Sequence, residues 1–98
     1  MRITLGQHKA IKAAVVDLTG PDVAVRLFGS RLDDGQRGGD IDLLVSSASA
    51  VDDPAWLAAS ITARLQIALG DQRIDVLIEA PNLMHQPIHD IARQGVLL

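Results

Sequence analysis

Hydrophobic residues recur along this 98-residue chain with two different spacings, and the spacing changes from one segment to the next. Apolar residues three or four positions apart predict helices, whereas alternating apolar residues predict strands with one buried face. The pattern predicts a helix, two strands joined by a polar loop, a second helix, a third strand and a short final helix. This order indicates a small α/β (α+β) fold in which helices pack on one mixed sheet of about three or four strands. A chain of this length makes one domain, residues 1–98.

Local signals mark the ends of the first helix. Thr4 and Gln7 have the spacing of a capping box, so the helix is expected to start at about Leu5. Gly20 and Pro21 end it, because glycine suits the backbone conformation after a helix and proline cannot continue one. The residues of its predicted inward stripe are His8, Ile11, Ala14, Val15 and Leu18.

The other two predicted helices each have a proline near their start. Asp52 or Asp53 can cap the second helix, with Pro54 at its first position, and Gly70 ends it. The final helix begins near Pro87, and an apolar tail follows it. The inward residues predicted for the final helix are Ile88, Ile91 and Ala92. The two histidines beside it, for which no acidic partner is evident, are predicted to lie on the solvated surface: His85 and His89.

Three segments alternate between apolar and polar residues and are predicted as strands. The first runs from Val23 to Phe28, and the second runs from Ile41 to Val45 after a loop rich in glycine and aspartate. The third covers Ile74 to Glu79. The apolar residues predicted to share one face of each strand are Val23, Val25 and Leu27, then Ile41, Leu43 and Val45, then Ile74, Val76 and Ile78.

The composition narrows the class of protein. The chain is 48% hydrophobic but has one Phe, one Trp and no Tyr, so its core must be aliphatic. A net charge of −3 and a pI of about 5.4 argue against direct binding along a nucleic-acid backbone. The absence of cysteine excludes disulfides, thiolate metal sites and a cysteine nucleophile. Without a signal peptide or an apolar run of about 18 residues, the chain is expected to be soluble and cytoplasmic, with no membrane association.

Three aspartates form the first candidate for chemistry. Asp40 and Asp42 project from the same face of a predicted strand, with Cα atoms about 6.6 Å apart, as carboxylates that share hard cations can do. Asp75 lies among apolar residues in the third strand, where a lone charge is costly to bury. The alternative is that these are surface acids at a strand start, with Asp75 paired to Arg73 or Arg26.

The turn after the first strand is the second candidate. Gly29 allows the backbone to approach a ligand closely, and Ser30 offers a hydroxyl and N–H groups to a phosphate. Arg31 adds positive charge at the same place. The alternative is an ordinary turn followed by a solvated arginine.

Together these segments resemble a known signature. Residues 27–31 (Leu-Phe-Gly-Ser-Arg), residues 40–43 (Asp-Ile-Asp-Leu) and a later strand with Asp75 are similar to the motifs of the DNA polymerase β-type nucleotidyltransferase superfamily. The short chain resembles, more narrowly, the minimal nucleotidyltransferases of prokaryotes. The motifs lie between Ala24 and Ile78, and the order of elements matches over nearly the whole chain. The resemblance implies a nucleotidyltransferase fold.

The resemblance also implies a mechanism with two Mg²⁺ ions, or Mn²⁺ in their place. Asp40 and Asp42 would bind both ions, and Asp75 would complete the site and act as general base. The Gly29-Ser30 turn would hold the β- and γ-phosphates of ATP, and Arg31 would neutralise the triphosphate. AMP would be transferred to a hydroxyl, and pyrophosphate would leave.

A partner is implied by the same resemblance. Minimal nucleotidyltransferases are often encoded beside a HEPN-domain protein, a helical ribonuclease-like toxin, and act as its antitoxin, in some cases by transferring AMP to it. We therefore expect a HEPN-domain-like helical partner and a homo- or hetero-oligomer that covers the final helix or the tail 96–98. The alternative function is a catalytically weak or inactive antitoxin, which neutralises its partner by complex formation alone.

Overall fold

A computed structural model describes residues 3–29, 40–70 and 72–98 of the chain. Its elements, in chain order, are α1 (Leu5–Thr19), β1 (Val23–Phe28), β2 (Ile41–Ser47), α2 (Pro54–Leu69), β3 (Ile74–Glu79), α3 (Pro87–Ala92) and β4 (Val96–Leu97). The predicted α+β class and the order of the first six elements are confirmed, whereas β4 forms where the sequence analysis predicted only an apolar tail. None of the helices in these ranges has the length and apolarity needed to cross a membrane.

The helix ends follow the local signals. The Thr4 side chain accepts from the Gln7 N–H at 3.0 Å and the Gln7 side chain accepts from the Thr4 N–H at 2.8 Å, which confirms the capping box. Of the two acids considered for α2, Asp53 is the cap, and it accepts from the Trp56 N–H at 3.0 Å. These caps therefore fix the residues at which α1 and α2 begin.

The four strands form one mixed sheet in the order β3-β2-β1-β4. β1 is antiparallel to both β2 and β4, whereas β2 and β3 are parallel and are connected through α2. Parallel neighbours need such a crossover because a tight turn can join only antiparallel strands. The starts of β2 and β3 therefore lie at the same end of the sheet.

The main core lies between the sheet and α1 and α2. In this core, the alternate apolar residues predicted for the three strands pack against apolar residues of both helices. Its most buried members, at 0% exposure, include Ile11, Leu27, Leu43, Ile61 and Leu65. Leu44, also at 0%, lies outside this cluster on the other face of the sheet, where α3 contacts β1 and β2. β2, which has a neighbouring strand on each side, is therefore buried on both faces of the sheet.

The orientation predicted for α3 is wrong at two of its three inward residues. Ala92 is fully buried, but Ile88 and Ile91 are 39% and 60% exposed. The side chain that turns inward is His89, at 5% exposure, so its predicted surface position is also wrong. A helix of six residues has too few turns for apolar spacing to fix its phase.

Hydrogen bonds explain how His89 is buried. The Gln86 N–H donates to Nδ1 at 2.9 Å, so the neutral ring carries its proton on Nε2 and donates it to the Ile78 carbonyl oxygen at 3.1 Å. Both ring nitrogens are thus satisfied, as burial requires. His85 is partly exposed and pairs with Asp90 at 2.8 Å, which is an acidic partner that the sequence analysis did not identify.

The apolar tail adds a strand to the sheet. β4 pairs with β1, and the Leu98 N–H donates to the Val25 carbonyl oxygen at 2.8 Å. Gly95 precedes this strand, and a Cβ there would lie 2.3 Å from the backbone oxygen of Leu27. The chain can therefore return to the edge of β1 only with glycine at this position.

We predict that Gly95→Ala destabilises the protein by about 1–3 kcal/mol, because backbone atoms cannot move aside as a flexible side chain can. Chemical denaturation followed by circular dichroism measures the change. Gly6→Ala is the matched control: a Cβ there meets only Thr4 Oγ1 at 3.8 Å, and alanine favours the helix. Equal stability of the Gly95→Ala protein and wild type would contradict the assigned pairing of β4.

Candidate carboxylate site at the start of the parallel strands

The parallel pairing of β2 and β3 brings the predicted aspartates together. Asp42 and Asp75 are register partners on these strands, so their side chains share one face of the sheet. Asp40 directly precedes β2, and the Ile41 N–H donates to the Arg73 carbonyl oxygen at 2.9 Å, which ties the starts of the two strands to each other. Two of the three predicted aspartates are thus direct neighbours across the strand pairing, and the third adjoins them at the start of β2.

Gly29 completes one wall of this site. It follows β1, whose last residue Phe28 is the register partner of Asp42. Its φ is +78°, and a Cβ at this position would lie 2.2 Å from Asp42 Oδ2. The close approach expected at Gly29 is therefore made by the carboxylate of Asp42, and any other residue would displace that carboxylate.

The electrostatics of the site centre on Asp42. Partial burial raises the pKa of its carboxyl above the ordinary value of 3.8, and the negative charges of Asp75 and Asp40 raise it further. A hydrogen bond with the Asp75 carboxyl acts in the same direction, because two carboxyl groups can share a hydrogen bond only when one is protonated. Arg73 partly offsets the rise. Among the described residues, the site thus brings together three carboxyl groups whose charge Arg73 offsets only in part.

In the described part of the chain, Arg73 is the cation that forms ion pairs with these acids. Its Nε lies 3.6 Å from Asp75 Oδ2 and 3.9 Å from Asp40 Oδ2. The side chain is 73% exposed, and both distances exceed hydrogen-bonding range. The pairing of Asp75 with Arg73 considered above is present, but it coexists with the convergence of the acids.

The donor set suits a hard divalent cation. Carboxylate oxygens are the ligands that Mg²⁺ and Mn²⁺ prefer, and a cation would relieve the repulsion that raises the pKa of Asp42. Within residues 3–29, 40–70 and 72–98, no three acidic, histidine or cysteine side chains are already arranged around a common point for a metal ion.

Only one of the three predicted phosphate-binding residues is among the residues that the structure describes. Gly29 is described, whereas Ser30 and Arg31 lie outside the described residues. Their assignment to the phosphates remains a prediction from the sequence.

A second polar cluster lies at the other end of β3. Arg93 donates to both carboxylate oxygens of Glu79, and these bonds hold the pKa of Glu79 below its ordinary value. With His85 and His89, this pair lines a pocket beside α3. The sequence analysis missed the cluster because Glu79 and Arg93 are far apart in sequence and neither belongs to a local motif.

Comparison of the sequence with protein-family models and with curated proteins finds no match.

We predict that Asp42→Asn stabilises the protein at neutral pH. A carboxyl whose pKa is raised by folding contributes stability below its unfolded pKa, and that stability is lost as the pH rises through the folded pKa. Asparagine carries no charge and can donate to Asp75. Its advantage over wild type should therefore be present at pH 7 and disappear below about pH 3.8.

Thermal unfolding from pH 3 to pH 8 in a chelating buffer checks this prediction. Asp22→Asn is the control, because Asp22 is exposed in the turn between α1 and β1. A lower melting temperature for Asp42→Asn than for wild type at pH 7 would show that Asp42 is not under like-charge repulsion.

Proposed function

We propose that this protein is a divalent-cation-dependent nucleotidyltransferase that transfers AMP from ATP to a hydroxyl group on a partner protein. The observation that carries the proposal is the position of Asp42 between Gly29 and Asp75, with Asp40 beside it. Partial burial and then the charges of Asp75 and Asp40 raise the pKa of Asp42 there. Such unneutralised charge opposes folding, and perturbed acids of this kind concentrate at functional sites. The sequence resemblance supplies the reaction class.

Each aspartate has a separate role in this proposal. Asp40 and Asp42 would hold two Mg²⁺ ions, and Asp75 would complete the site on the side of the acceptor. When bound, the ions would lower the pKa of the acceptor hydroxyl and stabilise negative charge at the α-phosphorus. Asp75 would take the hydroxyl proton as the acceptor oxygen bonds to phosphorus and the bond to pyrophosphate breaks. Gly29, which has no Cβ, leaves room for the carboxylate of Asp42 beside the backbone.

The phosphates of the nucleotide belong to the turn after β1. Gly29-Ser30 would hold the β- and γ-phosphates, and Arg31 would balance part of their charge. These assignments come from the sequence resemblance. Their support in the structure is the position of Gly29, which places the start of this turn directly beside Asp42.

Exposed apolar side chains favour a protein partner, which we propose to be a helical HEPN-domain toxin. Ile88 and Ile91 on α3 are 39% and 60% exposed, and Val96 and Leu97 on β4 are 43% and 59% exposed. Exposed apolar groups of this kind suit contact with another chain. The same observation supports the second candidate function, an antitoxin that acts through complex formation without catalysis.

Labelled ATP tests the proposal. The protein is incubated with [α-³²P]ATP, Mg²⁺ and a HEPN-domain protein as the proposed partner, and transfer of label to that protein is measured. We predict that wild type labels the partner and that Asp42→Ala lowers labelling by at least about 100-fold, because the variant lacks a ligand to both ions. Asp22→Ala is the matched control and should label normally.

Two outcomes separate the candidate functions. Undiminished labelling by Asp42→Ala would contradict the proposed site. An unlabelled partner that is nevertheless neutralised equally by wild type and Asp42→Ala is the result that the second candidate predicts.

A further inference from the structure

Arg73 is the cation that faces the carboxylate site, and its backbone and side chain are held differently. Its carbonyl oxygen accepts from the Ile41 N–H at 2.9 Å, which fixes the residue beside the start of β2. Its side chain is 73% exposed and approaches Asp75 and Asp40 at 3.6 and 3.9 Å. The backbone therefore holds Arg73 near Asp40 and Asp75, but the guanidinium is not hydrogen-bonded to either carboxylate.

We propose that Arg73 is an exchangeable counter-ion, whose guanidinium balances Asp40 and Asp75 in the cation-free protein and moves away when a divalent cation binds these carboxylates. This inference rests on the proposed function. It assigns to Arg73 a positioning role, because the arginine acts through the aspartates.

The geometry makes such an exchange easy. Ion pairs between exposed side chains are weak, and neither contact of Arg73 is a hydrogen bond. A divalent cation brings twice the charge and bonds directly to carboxylate oxygens. It therefore outcompetes a guanidinium that touches the same oxygens at 3.6 to 3.9 Å.

The exchange also explains how the acids are arranged before a cation arrives. Asp40 and Asp75 lie within ion-pair distance of the same Nε, and Asp42 is the register partner of Asp75 on the neighbouring strand. The three carboxylates are thus held around one another and Arg73, and no metal-ready set of three ligands is present in the described part of the chain. Once released, the guanidinium stays at the mouth of the site, where it can pair with an anionic phosphate.

Mn²⁺ binding without nucleotide tests the proposal. Isothermal titration calorimetry at low ionic strength compares wild type with Arg73→Gln, Arg73→Lys and Arg64→Gln. Arg64 pairs with Asp17 at 3.0 Å between α1 and α2, away from the carboxylates, and is the matched control. We predict that Arg73→Gln binds Mn²⁺ roughly five-fold more tightly than wild type, because a competing positive charge is gone.

The other variants and a higher salt concentration serve as controls for this result. Arg73→Lys and Arg64→Gln should bind as wild type does, and the gain of Arg73→Gln should shrink at high salt, where charges are screened. Equal or weaker Mn²⁺ binding by Arg73→Gln would overturn the inference and leave the proposed function standing. Equal binding by wild type and Asp42→Ala would overturn both, because the cation would then bind elsewhere.

A measurement on the wild-type chain keeps the proposal testable if Arg73→Gln does not fold. The Nε–H signal of Arg73 is followed by ¹⁵N nuclear magnetic resonance during a titration with Mg²⁺. Exchange predicts that this signal shifts with the same midpoint as the backbone signals of Asp40 and Asp75. A signal that stays fixed while those aspartates respond would show that Arg73 does not leave.

Discussion

The parallel register of β2 and β3 is the constraint on which the rest of the site depends. It sets Asp42 opposite Asp75, and the antiparallel pairing of β1 on the other side of β2 sets Gly29 against the Asp42 carboxylate. The register is held by buried residues on the opposite face, such as Leu43. A slip of one position would turn those apolar side chains to solvent and the aspartates into the core. The same alternation of apolar and polar residues along the strands therefore specifies both the core and the site.

This register brings carboxylates close together at one end of the sheet, where the repulsion between their negative charges is unfavourable. Burial and two neighbouring carboxylates raise the pKa of Asp42, and Arg73 compensates only in part from an exposed position. A fold without a function at this place would gain stability from a neutral residue. In the proposed function, a divalent cation would neutralise the same charge, so the repulsion that costs stability would favour metal binding. The proposed chemistry and the role of Arg73 both follow from this balance.

The features that could be predicted from the sequence are those that depend on residues close together in the chain. The capping box at Thr4, the cap at Asp53 and the alternation of the strands depend on neighbouring residues, and the structure confirms them. The adjacency of Asp75 and Asp42 was a hypothesis based on an acid among apolar residues of the third strand, and the family resemblance added to it. The register between these distant strands has no local signal in the sequence. The inward turn of His89 was missed, since it depends on a hydrogen bond to Ile78 on another element.

The central claim is that Asp42 carries a raised pKa which a divalent cation lowers. The direct measurement is a pH titration of the Asp42 side-chain ¹³Cγ signal, with and without saturating Mg²⁺. The account predicts a midpoint above the ordinary value of 3.8 in the chelated protein and a midpoint below that value with Mg²⁺. An ordinary midpoint in the chelated protein, or a raised one that Mg²⁺ does not move, would contradict it.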